Sequence, residues 1–283
     1  MHFASYNIRG RTSFGVVLGD GLVDLRLRMA PRYNSLFELL RGNALPEAEA
    51  VVRNVRADFT LTEAELLPPV LTPEKILCIG INYANRDAEM SGGVEGAKYP
   101  SMFFRTPGSL VGHDQPIVRP KVSEQLDYEG EIALVVGRSG RHIPRERALE
   151  HVAGITLCNE GTIRDWLRHG RFNVTQGKNF DASGSIGPWM TTGVDLARPL
   201  HLTVSINGEV TQDDTTASMI FSFADLIAYV TTFMTIKPGD IIATGTPTKK
   251  SRSDPPRWLV PGDIITMSVP EIGTLRNTVV EES

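Results

Sequence analysis

From residue 71 onward the chain reads as short strand-like runs punctuated by glycine and proline. KILCIGINY, SMFFRT, DYEGEIALVVG, HVAGITLCNE, LHLTVSINGEV, GDIIATGTP and GDIITMSVPEIGTLRNTVV follow one another with little between them. The clearest candidates for crossover helices are Ile163 to His169 and Ser222 to Met234. A parallel sheet of βαβ units needs such a helix between each pair of strands. The pattern therefore excludes a regular parallel sheet and predicts an α+β fold with a mixed or antiparallel β-rich core. Within LTVSINGEV the apolar and polar residues alternate, and Asn-Gly marks a hairpin turn.

The N-terminal stretch reads as a smaller β-rich unit. FASYNIRG and FGVVLGDGLVDL are strand-like, with a hairpin signal at Gly-Asp-Gly. A helix is expected from Ser35, its cap, to Arg41, and another from Pro46 to Arg53. LTEAELLPPVLTPEK, with Pro68, Pro69 and Pro73, then reads as a connector. A boundary near residue 70 is expected, giving a small N-terminal domain (1–70) and a larger one (71–283). The net charge of -4 carries no basic block, which argues against a nucleic-acid partner. No apolar run reaches the roughly 18 residues of a membrane span, and the N-terminus lacks a secretory pattern. The two cysteines, Cys78 and Cys158, sit in apolar runs as expected of buried, reduced thiols. Together these features predict a cytoplasmic protein. Gly92 to Lys98 (GGVEGAK) is expected to be a mobile loop.

DYEGEIALVVG places three acids at the head of an apolar strand. In a strand, residues two apart share a face, so Glu129 and Glu131 project together, and Asp127 joins them if the strand starts that early. Gly130 removes a side chain from the opposite face. Buried like charges repel, and a divalent cation reverses the sign of that problem. Oxygen-only ligands favour Mg2+, Mn2+ or Ca2+ over Zn2+ or Cu2+. The competing arrangement is an edge strand whose acids face water. A second strand of the same design, GITLCNE, ends in Glu160 and supplies the third carboxylate that such a cation requires. Arg164, Arg168, Arg171 and Lys178 follow. Arg168 and His169 suit a solvated helix face. Lys178, in the Gly- and Asn-containing QGKNFD, suits a functional position. The turn Gly245-Thr246-Pro247 offers N–H groups and a hydroxyl to an anion, or is an ordinary tight turn.

Taken together, KILCIGINYANRDAE, MFFRTPGSLVGHDQPI, DYEGEIALVVG, CNEGTIRDW, QGKNFD, SINGEVTQDDTTASMIFSFADLIAYVT and GDIIATGTP resemble the fumarylacetoacetate hydrolase family in order and spacing, over roughly residues 71 to 280. The resemblance implies a mixed β-roll with a divalent metal at its centre, Mg2+ or Mn2+, usually in a homodimer. It implies action on 2,4-dioxo acids and related 2-oxo acids, by hydrolysis of a carbon–carbon bond, decarboxylation or isomerisation. Glu129, Glu131 and Glu160 fall on the metal-ligand positions. Many members carry aspartate at the third, so this glutamate is one methylene longer. Lys178 falls on the lysine that supports charge on the reacting oxygens, Arg164 on the arginine after the third ligand, and Thr246 on the threonine that meets the substrate carboxylate.

One departure bears on mechanism. Where the family usually has a histidine that activates water with a glutamate three residues later, this chain has Arg86 and then Glu89. Arginine stays protonated and cannot act as a base. Asn85 and Leu167 also replace a frequent aspartate and a frequent polar residue. The expected activity is hydrolysis of an acylpyruvate such as maleylpyruvate or fumarylpyruvate to pyruvate and a carboxylic acid, in aromatic catabolism. Glu89 or a metal-bound water would serve as base, and Arg86 would grip a distal carboxylate. The alternatives are an isomerase of the 2-hydroxyhepta-2,4-diene-1,7-dioate kind, an oxaloacetate-decarboxylase-like enzyme, or a non-catalytic protein whose metal merely staples strands.

Overall fold

A computed structural model describes residues 1–85, 98–171, 173–249 and 257–283. Arg86, Glu89 and residues 92–97 of the glycine-rich stretch lie outside the described residues. The described fold is α+β and dominated by strands, in a mixed sheet arrangement. A 12-stranded sheet carries at its centre Gly184–Thr191, Val152–Asn159, Gly130–Val136 and Ile241–Ala243, in that order. Beyond Ile241–Ala243 come Ile76–Ile79, paired in parallel, and Met102–Arg105. On the other side His2–Ile8 pairs with Gly184–Thr191 and leads into Arg11–Leu18 and Gly21–Asp24, so residues before 70 extend the same sheet. A five-stranded sheet with Glu209–Thr215, His201–Ile206 and Ile264–Val269 at one end packs beside it.

Local chemistry accounts for the hairpins. Asn207 and Gly208 have φ of 52° and 86°, the left-handed pair that a two-residue hairpin turn requires. Ser35 caps Leu36–Arg41 by accepting the Glu38 N–H, and Ser222 caps Phe223–Phe233 in a capping box with Asp225. The expected helix from Ile163 to His169 is not formed. Ile163 is used by a short ladder with Leu126, and only one 3₁₀ turn, Asp165–Arg168, remains.

The strand Gly130–Val136 is fully buried and paired on both edges, which removes the edge-strand arrangement. Ile132, Leu134 and Val136 face a core shared with Val204, Met267 and Ile227. Ala133 and Val135 face a second core with Phe3, Leu36 and Leu39. Two-faced burial is why the strand reads as a continuous apolar run rather than an alternation. Cys78 and Cys158 are free and buried, and burial pushes both thiols well above their ordinary range. Among the described residues no helix is long and apolar enough to cross a membrane.

Candidate metal centre

The three acids meet because of strand register. Gly130 is paired with Asn159, so the residues flanking this pair, Glu129 and Glu160, leave the sheet at the same end. The Glu160 N–H donates to the Glu129 carbonyl at 2.8 Å, and the Asn159 side-chain oxygen accepts the Glu129 N–H at 3.0 Å. Glu131 stands one step inside the strand. Ligand atoms of Glu129, Glu131 and Glu160 lie within 4.8 Å of one another, and the residues are 6%, 1% and 1% exposed. Gly130 between them leaves room for Val204: a Cβ there would lie 2.3 Å from Val204 Cγ2, so that side chain would have to shift. Asp127, which the alternation placed conditionally on the same face, is turned instead to Arg164 and Lys249.

Burial pushes the Glu131 carboxyl well above the usual carboxylate range, and the charges of Glu160 and Glu129 push it further. Burial also raises Glu160, with Lys178 pulling the other way. Glu131, buried beside two other carboxylates, is the group whose charge a divalent cation would relieve. An all-oxygen donor set of this kind fits a hard divalent cation.

Lys178, at the end of the one-turn helix Thr175–Lys178, bridges Glu129 Oε2 at 2.5 Å and Glu160 Oε2 at 2.9 Å. Burial alone would lower its pKa, but Glu129 and Glu160 outweigh that and raise it. Arg164 donates to Asp127 Oδ2 at 2.8 Å and to Glu129 Oε1. Arg168 and His169 are exposed, as expected of a solvated face.

The turn after Ile241–Ala243 closes the site. Gly245, at φ +100°, points its N–H at Glu131 Oε2 at 2.9 Å, and a Cβ there would meet Asn82 Cβ at 2.7 Å. Thr246 is 3% exposed, and its hydroxyl oxygen accepts a hydrogen bond from Gln212 Nε2 at 2.9 Å. The hydroxyl hydrogen is left to be donated elsewhere.

Sequence reasoning did not find Gln212, Arg105 or Lys249. Gln212 accepts the Gly130 N–H at 3.1 Å while donating to Thr246 and to the Pro247 carbonyl, and so ties the ligand strand to the anion turn. Arg105 donates to Glu160 Oε1. Lys249 reaches Asp127 and lies 4.0 Å from the Tyr128 ring centre. Only Lys249 had a local signal, since it stands two residues after the Gly245-Thr246-Pro247 turn. Arg105, Arg164, Lys178 and Lys249 thus form ion pairs with Asp127, Glu129 and Glu160, and Glu131 accepts the Gly245 N–H.

A family model described as fumarylacetoacetate (FAA) hydrolase C-terminal matches residues 75–280. The chain belongs to the fumarylacetoacetate hydrolase family. Members of this family are enzymes. The chain is 35% identical over 269 residues to oxaloacetate tautomerase Fahd2a, mitochondrial, of Rattus norvegicus, covering 93% of this chain and 85% of the relative. It is 38% identical over 227 residues to oxaloacetate tautomerase YisK of Bacillus subtilis, covering 78% of this chain and 75% of the relative. Among solved structures, maleylpyruvate hydrolase from Sphingobium sp. SYK-6 in complex with manganese(II) ion and pyruvate aligns with a TM-score of 0.81 at 26% identity, with 100% of both chains covered.

Proposed function

We propose that this protein is a divalent-cation-dependent isomerase that interconverts the keto and enol forms of a small 2-oxo dicarboxylic acid of the oxaloacetate kind. One observation carries the choice over hydrolysis: Arg86 stands where the resemblance puts the water-activating histidine. A hydrolase must deprotonate water, whereas a tautomerase moves one proton between carbon and oxygen. The likeness to two oxaloacetate tautomerases supports the same reading.

Glu129, Glu131 and Glu160 would hold Mg2+ or Mn2+. Once bound, the cation supplies Lewis-acid stabilisation of negative charge on the 2-oxo oxygen. A bound dication would add positive charge beside Lys178 and Arg164, which suits a dianion. Lys178 Nζ, kept protonated by its two carboxylates, donates a hydrogen bond to the enolate oxygen. Thr246 Oγ1, its acceptor side occupied by Gln212, donates to the C1 carboxylate, which Arg164 also attracts. Arg86 grips the distal carboxylate by charge-assisted bonds. Glu89 takes the C3 proton and returns it to the 2-oxo oxygen. Residues 71–283 form the catalytic unit, 1–70 a small β-rich unit, and a homodimer is the working assembly.

A second reading, hydrolysis of a maleylpyruvate-like acid, is favoured by the likeness to the Sphingobium hydrolase. One assay separates the two. Enol-oxaloacetate is mixed with the Mn2+-loaded protein, and keto acid is read with a keto-specific dehydrogenase. Ketonisation faster than the buffer rate, and lost in Glu89→Gln, supports the isomerase. Pyruvate with stoichiometric maleate from maleylpyruvate, without accelerated ketonisation, would establish the hydrolase instead.

A further inference from the structure

By the resemblance Glu160 stands at a position where aspartate is frequent, and its extra methylene gives the carboxylate two ways to meet a cation, through one oxygen or both. The structure shows what would decide between them. Arg105 ends the strand Met102–Arg105 and its side chain is fully buried. Every N–H of its guanidinium is used. Nε donates to Ser109 Oγ at 3.0 Å. Nη2 donates to the Ser109 carbonyl at 3.2 Å and to Ser183 Oγ at 3.1 Å. Nη1 donates to the Gly161 carbonyl at 2.8 Å and to Glu160 Oε1 at 3.3 Å. Four of these five bonds go to groups outside the acid cluster, so the fork is fixed independently of Glu160. The other oxygen, Oε2, is the one turned to Lys178, which also holds Glu129.

We propose that Arg105 is a positioning residue that occupies Oε1 of Glu160, so that this longer acid offers the metal a single oxygen. The proposal rests on the reading of the three acids as a divalent-metal centre. One-oxygen ligation suits the near-ideal octahedron that Mg2+ demands. Ca2+ accepts about six to eight oxygens and takes carboxylates through both. Arg105 therefore sets cation selectivity as well as ligand geometry. Partners that orient a ligand in this way are typically worth about 10- to 100-fold in metal affinity.

The test uses Arg105→Lys and Arg105→Met in the full chain. Mn2+ binding is followed by the paramagnetic resonance signal of the free ion, and Mg2+ and Ca2+ by displacement of Mn2+. Removing a nearby charge alters the attraction for every dication alike, so the ratio of Mg2+ to Ca2+ affinity isolates the geometry. We expect this ratio to fall about tenfold in both variants. A ratio within about twofold of the wild type in a folded variant overturns the proposal, that margin being small against the expected effect. Where Arg105→Met does not fold, Arg105→Lys keeps the charge without the fork, and an unchanged ratio in it overturns the proposal equally. Failure of the wild-type protein to bind Mn2+ would instead defeat the metal centre on which the proposal rests, and the proposal with it.

Discussion

Replacing Glu131 by glutamine should move two measured quantities in opposite directions. The change keeps the side-chain length and leaves an oxygen to accept the Gly245 N–H, now at 2.9 Å. What it removes is one negative charge from a group whose ligand atoms lie within 4.8 Å of one another. At that spacing, with an effective dielectric constant of about 20, each like-charge pair costs roughly 3 kcal/mol. Glu131 faces two such neighbours, and the buried ammonium of Lys178 offsets part of the cost. A net stabilisation of about 1–3 kcal/mol is therefore expected for the metal-free protein at a pH above the raised Glu131 pKa, where the wild-type carboxyl is ionised, and little change below it. In a chain of this size that is a rise of a few degrees in Tm. With Mn2+ the order reverses. The wild-type protein gains about 2.7 kcal/mol at a hundredfold excess over its Kd, and the variant gains nothing. Differential scanning fluorimetry in EDTA and in Mn2+ reads both effects. A Glu131→Gln protein that melts lower than wild type in EDTA, or that Mn2+ still stabilises, would refute the electrostatic account of the cluster.

Three further outcomes follow from the same geometry. Lys178→Met should abolish turnover yet tighten Mn2+ binding, because the ammonium bridging Glu129 and Glu160 competes with the cation; a Mn2+ titration beside a rate assay checks this. Gln212→Leu strips a 1% exposed residue of three hydrogen bonds and should cost about 2–4 kcal/mol while raising KM and leaving metal affinity intact; chemical denaturation and steady-state kinetics measure the two effects. For Asp58, burial alone would raise the pKa, but the Arg28 side chain and the Asp24 N–H outweigh it and hold the carboxyl below the ordinary 3.8. Its folded pKa is thus below its unfolded one, so its stabilisation is present above the unfolded value and lost as pH falls through 3.8 and lower. The Tm gap between wild type and Asp58→Asn should therefore close on acidification.

Much of the site was legible because strand geometry makes it local. Glu129 and Glu131 are two residues apart, and Gly130 between them is a spacing rule that a reader can see. Glu160 could be placed by analogy, as a second acid at the end of a second apolar strand. Asp127 was left conditional, and the structure pairs it with Arg164 and Lys249 because the ladder Leu126–Asp127 is separate from the strand that follows. The short helix at 163–169 misled for a related reason. Its first residue is taken by pairing with Leu126, which no local pattern reports.

By itself the sequence determined the elements whose causes lie within a few residues. These include the hairpin at Asn207-Gly208, the serine-capped helices and the acids heading an apolar strand. Tertiary structure alone decided that Gly130–Val136 would be central, which turns those acids into a buried cluster instead of a solvated edge. It also brought Arg105, Lys178 and Gln212 to the acid-bearing strand ends from positions 18 to 82 residues away in the chain. Backbone torsions and caps respond to neighbours in sequence, whereas charge balance responds to neighbours in space. Only the strand order fixes which those are.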